Sequence, residues 1–123
     1  MAYIKPTESE LEILQILWEK GEASVRDVHE ILLKTKEAGY TTTLKIMQIM
    51  HEKGLVERDS SVRTHIYKAN VTRESTQQHL LDRMIANVFN GSAARLVMQV
   101  LGSNKASAEE IAEIKKHLDK LEK

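Results

Sequence analysis

Cysteine is absent from this chain of 123 residues, which excludes a disulfide framework, a thiolate metal site and a cysteine nucleophile. Aromatic residues are scarce, one Trp, three Tyr and one Phe, so the core must be mainly aliphatic. No apolar run approaches the roughly 20 residues that a membrane-spanning helix needs. The first residues also lack the basic-then-apolar order of a signal peptide. We therefore expect a soluble, cytoplasmic protein without membrane insertion.

Net charge is absent as well, because 18 Lys and Arg residues balance 18 Asp and Glu residues. This balance excludes a protein that is basic all over, but it leaves room for a local basic face. One segment has no acidic residue at all, from Ala38 to His51. Such a segment is unusual in a chain that is otherwise evenly supplied with Glu and Asp.

No catalytic or metal-binding constellation is visible in the sequence. The five histidines are scattered, without an H-E-x-x-H motif or an Asp/His cluster at ligand spacing. The glycines fall at turn or cap positions rather than in a phosphate-binding loop. We therefore expect no enzyme activity, no catalytic residue, no metal site and no cofactor.

Three helices are predicted in the first half of the chain. Capping-box pairs open the first two, Thr7 with Glu10 and Ser24 with Asp27. The first helix ends at Gly21 and the second before Gly39. The third covers residues 41–53, starting at Thr41 or Thr42, and Gly54 follows it in a C′ position.

The third helix has an apolar stripe at i, i+3, i+4 and i+7 spacing, which predicts its inward face. That face comprises Thr43, Ile46, Met47 and Met50. The opposite, outward face carries hydroxyls, an amide and an ammonium beside one apolar residue. It comprises Thr41, Thr42, Lys45, Gln48 and Ile49.

The period then changes from helix to strand. Leu55 to Asp59 and Thr64 to Ala69 are predicted as two short strands, joined by a wing at residues 60–64. Two strands alone are marginal in water, so they must pack against the preceding helices. His65 is expected to pack beneath the wing as a structural histidine. The order of three helices and a hairpin is that of a winged helix-turn-helix.

Three further helices are predicted after residue 71, with Thr72, Ser92 and Ser107 at their starts. Their apolar stripes are too wide for three short helices to bury on each other, and most soluble oligomers are two-fold dimers. We predict a mainly α fold with a winged-helix DNA-binding domain at 1–71 and a helical dimerisation domain at 72–123. The predicted dimer interface comprises Leu80, Leu81, Met84, Val88, Leu96, Val97, Val100, Leu101, Ile111, Ile114 and Leu118.

The outward face of the third helix suits a nucleic acid. In a helix-turn-helix the second helix of the pair lies in the major groove of double-stranded DNA. A threonine hydroxyl can bond phosphate, Gln48 can bond adenine, and Lys45 can reach guanine or phosphate. The candidate DNA-binding residues are Tyr40, Thr41, Thr42, Lys45, Gln48 and, at the wing, Arg63. The alternative is a winged-helix module that binds a protein partner, which would lack the salt dependence of phosphate binding.

Three stretches resemble the penicillinase-repressor family of bacterial winged-helix regulators, the BlaI/MecI-like group. They are ESELEILQILWEKGEASVRDV, YTTTLKIMQIMHEKGLVER and RTHIYKANVTRE, and a helical tail extends the likeness over nearly the whole chain. The resemblance implies a homodimeric transcriptional repressor that binds a dyad-symmetric operator. It places the recognition-helix contacts on Thr41, Thr42, Lys45 and Gln48, and the wing contact on Arg63. Many relatives carry Arg at the position of Ile49, so one phosphate contact of the family is missing here.

Some members of that family are inactivated when a membrane sensor protease triggers their cleavage in the helix that here runs from Ala93 to Leu101. The matching bond is Gln99–Val100. The Asn-Phe pair of the penicillin-responsive members is missing, so we do not expect a β-lactam response. The copper-responsive branch uses a cysteine-rich tail, which this chain lacks.

Overall fold

A computed structural model of the protein describes residues 3–122. The mainly helical fold class that the sequence predicts is confirmed, including the order of three helices and a hairpin. Helices and strands follow each other as α1 Glu8–Lys20, β1 Ala23–Ser24, α2 Val25–Leu32, α3 Tyr40–Lys53, β2 Val56–Asp59, β3 Ile66–Ala69, α4 Arg73–Asn87, α5 Ala93–Gly102 and α6 Ala108–Leu121.

The predicted capping boxes form. At the start of α1, the Glu10 amide donates to the Thr7 hydroxyl at 3.1 Å, and the Thr7 amide donates to the Glu10 carboxylate at 2.9 Å. The same reciprocal pair opens α2, between Ser24 and Asp27. Each box satisfies two amides that a helix start otherwise leaves without a partner. The predicted box of Ser107 is present at the start of α6 as well.

Several predicted boundaries differ from the structure: α2 ends at Leu32, well before Gly39, and β2 begins at Val56 rather than at Leu55. α3 begins at Tyr40 rather than at Thr41 or Thr42, because Gly39 occupies the N-cap position in an extended conformation. The second predicted strand is too long at its start, since its backbone pairing begins at Ile66. Gly54 follows α3 with a left-handed φ of 86°, as the C′ prediction requires.

The sheet contains one strand that the sequence does not predict. Its antiparallel order is β1-β3-β2, and Tyr67 of the central strand pairs with Ala23 on one side and Arg58 on the other. β1 has only two residues, which is too short to show an alternating pattern. It anchors the start of α2 to the hairpin.

The hydrophobic core lies between α1, α2, α3 and the sheet. Its largest fully buried side chain is Tyr67 of β3. The other buried apolar residues are Ile13, Leu14, Leu17, Ala23, Val25, Val28, Leu32, Met47, Met50, Leu55 and Val56. This aliphatic core agrees with the scarcity of aromatic residues.

Two polar contacts fix α1 against other elements. The Lys53 ammonium at the end of α3 donates to both carboxylate oxygens of Glu10, at 2.7 and 2.9 Å. The Trp18 indole N–H donates to the Val71 carbonyl at 2.9 Å, which ties α1 to the segment before α4. These contacts hold both the end of α3 and the end of the hairpin.

The chain divides into two compact units between His79 and Leu80, inside α4. The predicted functional boundary after residue 71 stays a prediction. In the second unit, Asn90 and Gly91 turn the chain after α4 with positive φ values of 51° and 83°. None of residues 80–122 is classed as buried. Within the described chain, no helix is both long and apolar enough to cross a membrane.

Candidate nucleic-acid interface

The outward face of α3 is the side-chain surface that the sequence predicts. Its five residues, Thr41, Thr42, Lys45, Gln48 and Ile49, are all exposed. On the opposite face Thr43, Met47 and Met50 are at most 1 % exposed, and Ile46 is half-buried. The apolar stripe therefore fixes the rotation of α3 and leaves the polar residues free to meet a ligand.

Contacts from α2 fix the first turn of α3. The Thr43 hydroxyl donates to the Gly39 carbonyl at 3.3 Å, and the same hydroxyl lies 3.4 Å from His29 Nδ1. The His29 ring meets the Tyr40 ring edge to face, with centroids 5.5 Å apart. Tyr40 remains 45 % exposed, so this packing orients its ring without covering it.

The start of α3 has no side-chain cap. Gly39 has no side-chain acceptor, and the first turn contains no acidic residue. Thr41 and Thr42 lie inside the helix, so neither of them caps it. The first-turn amides carry the positive end of the helix dipole and have no side-chain acceptor within the described chain.

The wing spans residues 60–65, between β2 and β3. The Asp59 carboxylate accepts from the Ser61 hydroxyl at 2.6 Å and from the Ser61 amide at 2.9 Å. These two bonds lower the pKa of Asp59, so the carboxylate that stabilises the turn is ionised at neutral pH. Val62 and Arg63 project from the wing as exposed side chains, and Arg63 lies where the sequence predicts it.

A cleft of about 370 Å³ separates α3 from the wing. Tyr40, Leu44 and Gln48 line it from α3, and Thr64 and His65 line it from the hairpin side. His65 is exposed, so the expectation that it packs beneath the wing is wrong. Because β3 begins only at Ile66, residue 65 lies outside the alternating pattern that would have turned it inward.

The same cleft brings together three guanidinium groups, of which the sequence identifies one. Arg63 lines it from the wing, Arg26 from α2 and Arg58 from β2. No acidic residue is among its lining residues. Arg58 shares its strand face with buried Val56, and an arginine at an inward strand position is the signal that could have revealed it. Arg26 gives no such signal, since it resembles any exposed helix residue.

The predicted dimer interface lies on the second unit as a set of uncovered apolar side chains. Those that are exposed are Leu81, Met84, Val88, Val97, Val100, Ile111 and Leu118. Those that are half-buried are Leu80, Leu96, Leu101 and Ile114. Six of the eleven line an apolar groove of about 560 Å³ between α5 and α6, namely Leu96, Val97, Val100, Leu101, Ile114 and Leu118.

The predicted cleavage bond lies inside a regular helix. Gln99 and Val100 are both exposed residues of α5. Residues 3–122 contain no group of three or more His, Cys, Asp or Glu side chains that could hold a metal ion.

Sequence comparison identifies a family. The model of the family described as "Penicillinase repressor" matches residues 6–120. The penicillinase repressor of Staphylococcus aureus is 19% identical over 94% of this chain and 91% of its own length. That of Bacillus licheniformis is 21% identical, over 88% and 84%. The methicillin resistance regulatory protein MecI of S. aureus is 23% identical, over 91% of both chains.

Structural comparison supports the fold. A mutant of MarR from E. coli complexed with operator DNA matches 94% of this chain and 75% of its own, with a TM-score of 0.53 and 15% identity. The reduced form of MarR matches 94% and 77%, with a TM-score of 0.50 and 14% identity. The chain therefore shares the winged-helix fold of these proteins.

Proposed function

This chain belongs to the penicillinase repressor family, a family of transcriptional regulators, and we propose that it is a dimeric repressor that binds a dyad-symmetric DNA operator. One observation carries the proposal: α3 presents an exposed polar face that carries no carboxylate from Tyr40 to His51, and its only acid, Glu52, lies in the last turn. A groove-binding helix needs such a face because each Glu or Asp would be repelled by the phosphates. An ordinary solvated helix has no reason to exclude acids.

Each predicted contact residue of α3 has a role in this proposal. Lys45 and Gln48 contact base edges in the major groove, where an ammonium suits guanine and an amide suits adenine. Thr41 and Thr42 bond the phosphate that also meets the free amides of the first turn. Tyr40 packs beside that phosphate, because the His29 ring holds it at the start of α3.

The wing supplies a second point of contact. Arg63 projects from the turn that the Asp59–Ser61 bonds stabilise, and it reaches the neighbouring minor groove or its phosphates. Ile49 is 38 % exposed on α3, so the missing Arg of many relatives leaves an apolar surface there. That surface could contact a thymine methyl group instead.

A second copy of the chain covers the apolar surface of the second unit in this proposal. Val88 and Leu121 are each 68 % exposed, an unfavourable state for side chains of this type in a lone chain. A two-fold dimer would cover them and place two α3 helices on adjacent half-sites, about 34–36 Å apart or a multiple of it.

Proteolysis at Gln99–Val100 is the proposed route to relief of repression, with a membrane sensor protease as the partner. A protease needs an extended substrate, so α5 must open before this bond can be cut. Within its own chain α5 contains no buried residue, so little packing opposes this opening once the partner chain has moved away. Cleavage would then separate α6 from the rest of the dimerisation surface.

The test of the proposal is the double variant Lys45→Ala/Gln48→Ala. The probe is the DNA duplex that the wild-type protein enriches from a randomised pool. Bidentate base contacts contribute about 1–3 kcal/mol each, so we expect the affinity to fall at least about 100-fold. Fluorescence anisotropy measures it, while sedimentation checks that the oligomeric state is unchanged.

The matched control is Gln15→Ala/Lys20→Ala, which removes the same two side-chain types from exposed positions of α1. We expect this control to bind like the wild-type protein. If the α3 variant also keeps its affinity, or if the wild-type protein enriches no sequence, the proposed function is wrong. An affinity that does not fall as the salt concentration rises would instead favour a protein partner over DNA.

A further inference from the structure

Three guanidinium groups from separate elements line the cleft between α3 and the wing. Arg26 lies in the first turn of α2, Arg58 lies on β2, and Arg63 lies on the wing. None of the three makes a salt bridge with a described residue. Three like charges around one cleft of about 370 Å³ repel each other, and an anion between them would relieve that repulsion.

Arg58 is the most constrained of the three. Its side chain is half-buried, and its Nε donor is buried without a hydrogen-bond partner among the described residues. A buried donor of a charged group is costly to leave unpaired. If the Nε edge turns toward an acceptor in the cleft, the guanidinium therefore gains a hydrogen bond without losing another one.

Carboxylates lie on the other side of Arg58. It also borders a smaller cleft whose lining includes Glu22, Glu57 and Asp59. Asp59 is engaged by Ser61, and Glu57 pairs with Lys68 at 3.6 Å. None of the three carboxylates makes a salt bridge with Arg58, which leaves its side chain available for the acid-free cleft.

The position of the cleft identifies the anion. If α3 lies in the major groove and the wing touches the adjacent minor groove, one sugar-phosphate strand separates the two grooves. That strand must pass over the gap between α3 and the wing. Its phosphodiesters match guanidinium groups in charge and in bidentate geometry.

We propose that Arg26, Arg58 and Arg63 form a phosphate clamp, which binds the DNA strand between the two grooves; this inference rests on the proposed function. The clamp contacts no base edge, so it adds affinity on any sequence. It also sets how deeply α3 sits in the groove, because Arg58 is fixed to the sheet that carries the wing.

The test compares Arg58→Gln with the matched control Arg83→Gln, which removes an exposed guanidinium outside the cleft. Affinity for the enriched duplex and for a mixed-sequence duplex is measured by anisotropy over a range of salt concentrations. A plot of log affinity against log salt concentration has a negative slope. That slope becomes less steep by about 0.9 for each phosphate that the protein no longer neutralises. We expect that reduction once per bound subunit for Arg58→Gln, on both duplexes, and none for Arg83→Gln.

A phosphate scan locates the contact. Single phosphates of the enriched duplex are replaced by neutral methylphosphonates, one position at a time. We expect a replacement that weakens the wild-type protein to leave Arg58→Gln unaffected, because the variant does not bind that phosphate in the first place. Equal sensitivity of both proteins at every position would overturn the clamp.

Folding and the free anion are controlled separately. Circular dichroism checks each variant; if Arg58→Gln is unfolded, the exposed-site variant Arg26→Gln takes its place, with a smaller slope still expected. Inorganic phosphate is titrated without DNA. If it saturates the cleft while the variants keep the wild-type slope on DNA, the site binds a free anion and the clamp is wrong.

The two proposals fail in different ways. If the wild-type protein enriches no duplex, the proposed function fails and the clamp with it. If it enriches a duplex but Arg58→Gln and Arg83→Gln behave alike, only the clamp fails.

Discussion

Both compact units of this chain contain amphipathic helices, yet they differ in how deeply their apolar side chains are buried. In the first unit Leu14, Val28, Met47 and Met50 are completely inaccessible to solvent. In the second unit every described residue is at least partly accessible, and Val88 is 68 % exposed. Burial of apolar area contributes about 25 cal/mol per Å². The second unit can therefore still gain free energy by burying its apolar surface against a partner, whereas the first unit has buried its core already.

The surfaces that the two units leave open also differ in chemistry. The first unit exposes Lys45 and Gln48 on α3, and three arginines line the neighbouring cleft. The second exposes an apolar groove between α5 and α6. One surface therefore suits a polyanion and the other suits an apolar partner, for which a second copy is our proposal. Variants that disturb one surface and spare the other test this contrast.

Leu81→Asp should separate the proposed dimer. Leu81 is 42 % exposed on α4, and a carboxylate there would be buried without a partner when two chains associate. The cost of several kcal/mol per subunit would raise the dissociation constant at least about 100-fold. Sedimentation velocity measures it, with Leu33→Asp as the control, because Leu33 is 50 % exposed in the first unit. A Leu81→Asp protein that remains dimeric would refute the assignment of this surface.

Leu14→Ala and Leu118→Ala should affect stability by different routes. Leu14 is 0% exposed, so its truncation leaves a cavity and costs about 3 kcal/mol at any protein concentration. Leu118 is 52 % exposed in the single chain, so its truncation matters only where a partner covers it. Urea unfolding at a low and a high protein concentration distinguishes the two. If Leu118→Ala destabilised the protein equally at both concentrations, the effect would not depend on a partner chain and would not support the dimer.

Glu10→Gln should destabilise the first unit in a pH-dependent way. Burial raises the pKa of Glu10, but the bonds from Lys53 and Thr7 outweigh it and lower the pKa below its usual 4.5. Because the folded pKa is lower than the unfolded one, the stabilisation is present above the unfolded pKa and is lost as the pH falls through the folded value. We expect a loss of about 1–2 kcal/mol at neutral pH, and a smaller difference from wild type in acid.

Glu12→Gln is the control for that charge change. Glu12 bonds Lys36 at 3.0 Å, but both side chains are at least 40% exposed, compared with 4% for Glu10. An exposed pair of this kind contributes less than about 1 kcal/mol. Thermal unfolding over a pH series should therefore show a clear effect for Glu10→Gln and a slight one for Glu12→Gln. Equal effects would mean that burial does not matter to the Glu10 pair.

Gly39→Ser should separate the stability of α3 from its binding. The added Cβ would lie 3.8 Å from the Thr42 hydroxyl, an ordinary contact, and the new hydroxyl could accept from a first-turn amide. We expect a gain of a few tenths of a kcal/mol in stability. DNA affinity should fall a few-fold, because that amide no longer meets phosphate. Gly39→Ala, which adds no acceptor, should keep more of the affinity in the same anisotropy assay.

The features that the sequence predicts correctly are those that depend on interactions between near neighbours in the chain. The capping boxes of Thr7 and Ser24 and the inward stripe of α3 depend on neighbours within one or two turns, and all are present. The mainly helical fold follows from the same local patterns, whereas the family is indicated by the resemblance of three stretches and shown by the family model over residues 6–120. The C-terminal apolar residues are also exposed or half-buried where a dimer surface is expected, although the interface itself stays a prediction.

What the sequence misses depends on tertiary packing. The cleft exists because β1 and the hairpin bring Arg26 and Arg58 beside α3, and no spacing in the sequence encodes that approach. Similarly, His65 faces the cleft because β3 pairs only from Ile66 onward. The predicted start of α3 is too late because the low helix propensity of threonine favours a later start. In the structure Gly39 occupies the N-cap position, so the helix begins at Tyr40.

Selection from a randomised DNA pool with the wild-type protein is the decisive measurement for a paired, groove-binding repressor. Two α3 helices held by one apolar interface should enrich an inverted repeat, with half-sites about 10 base pairs apart or a multiple of that spacing. Sedimentation of the resulting complex should give two chains per duplex. An enriched single half-site bound by one chain, or no enrichment at all, would refute the proposed function.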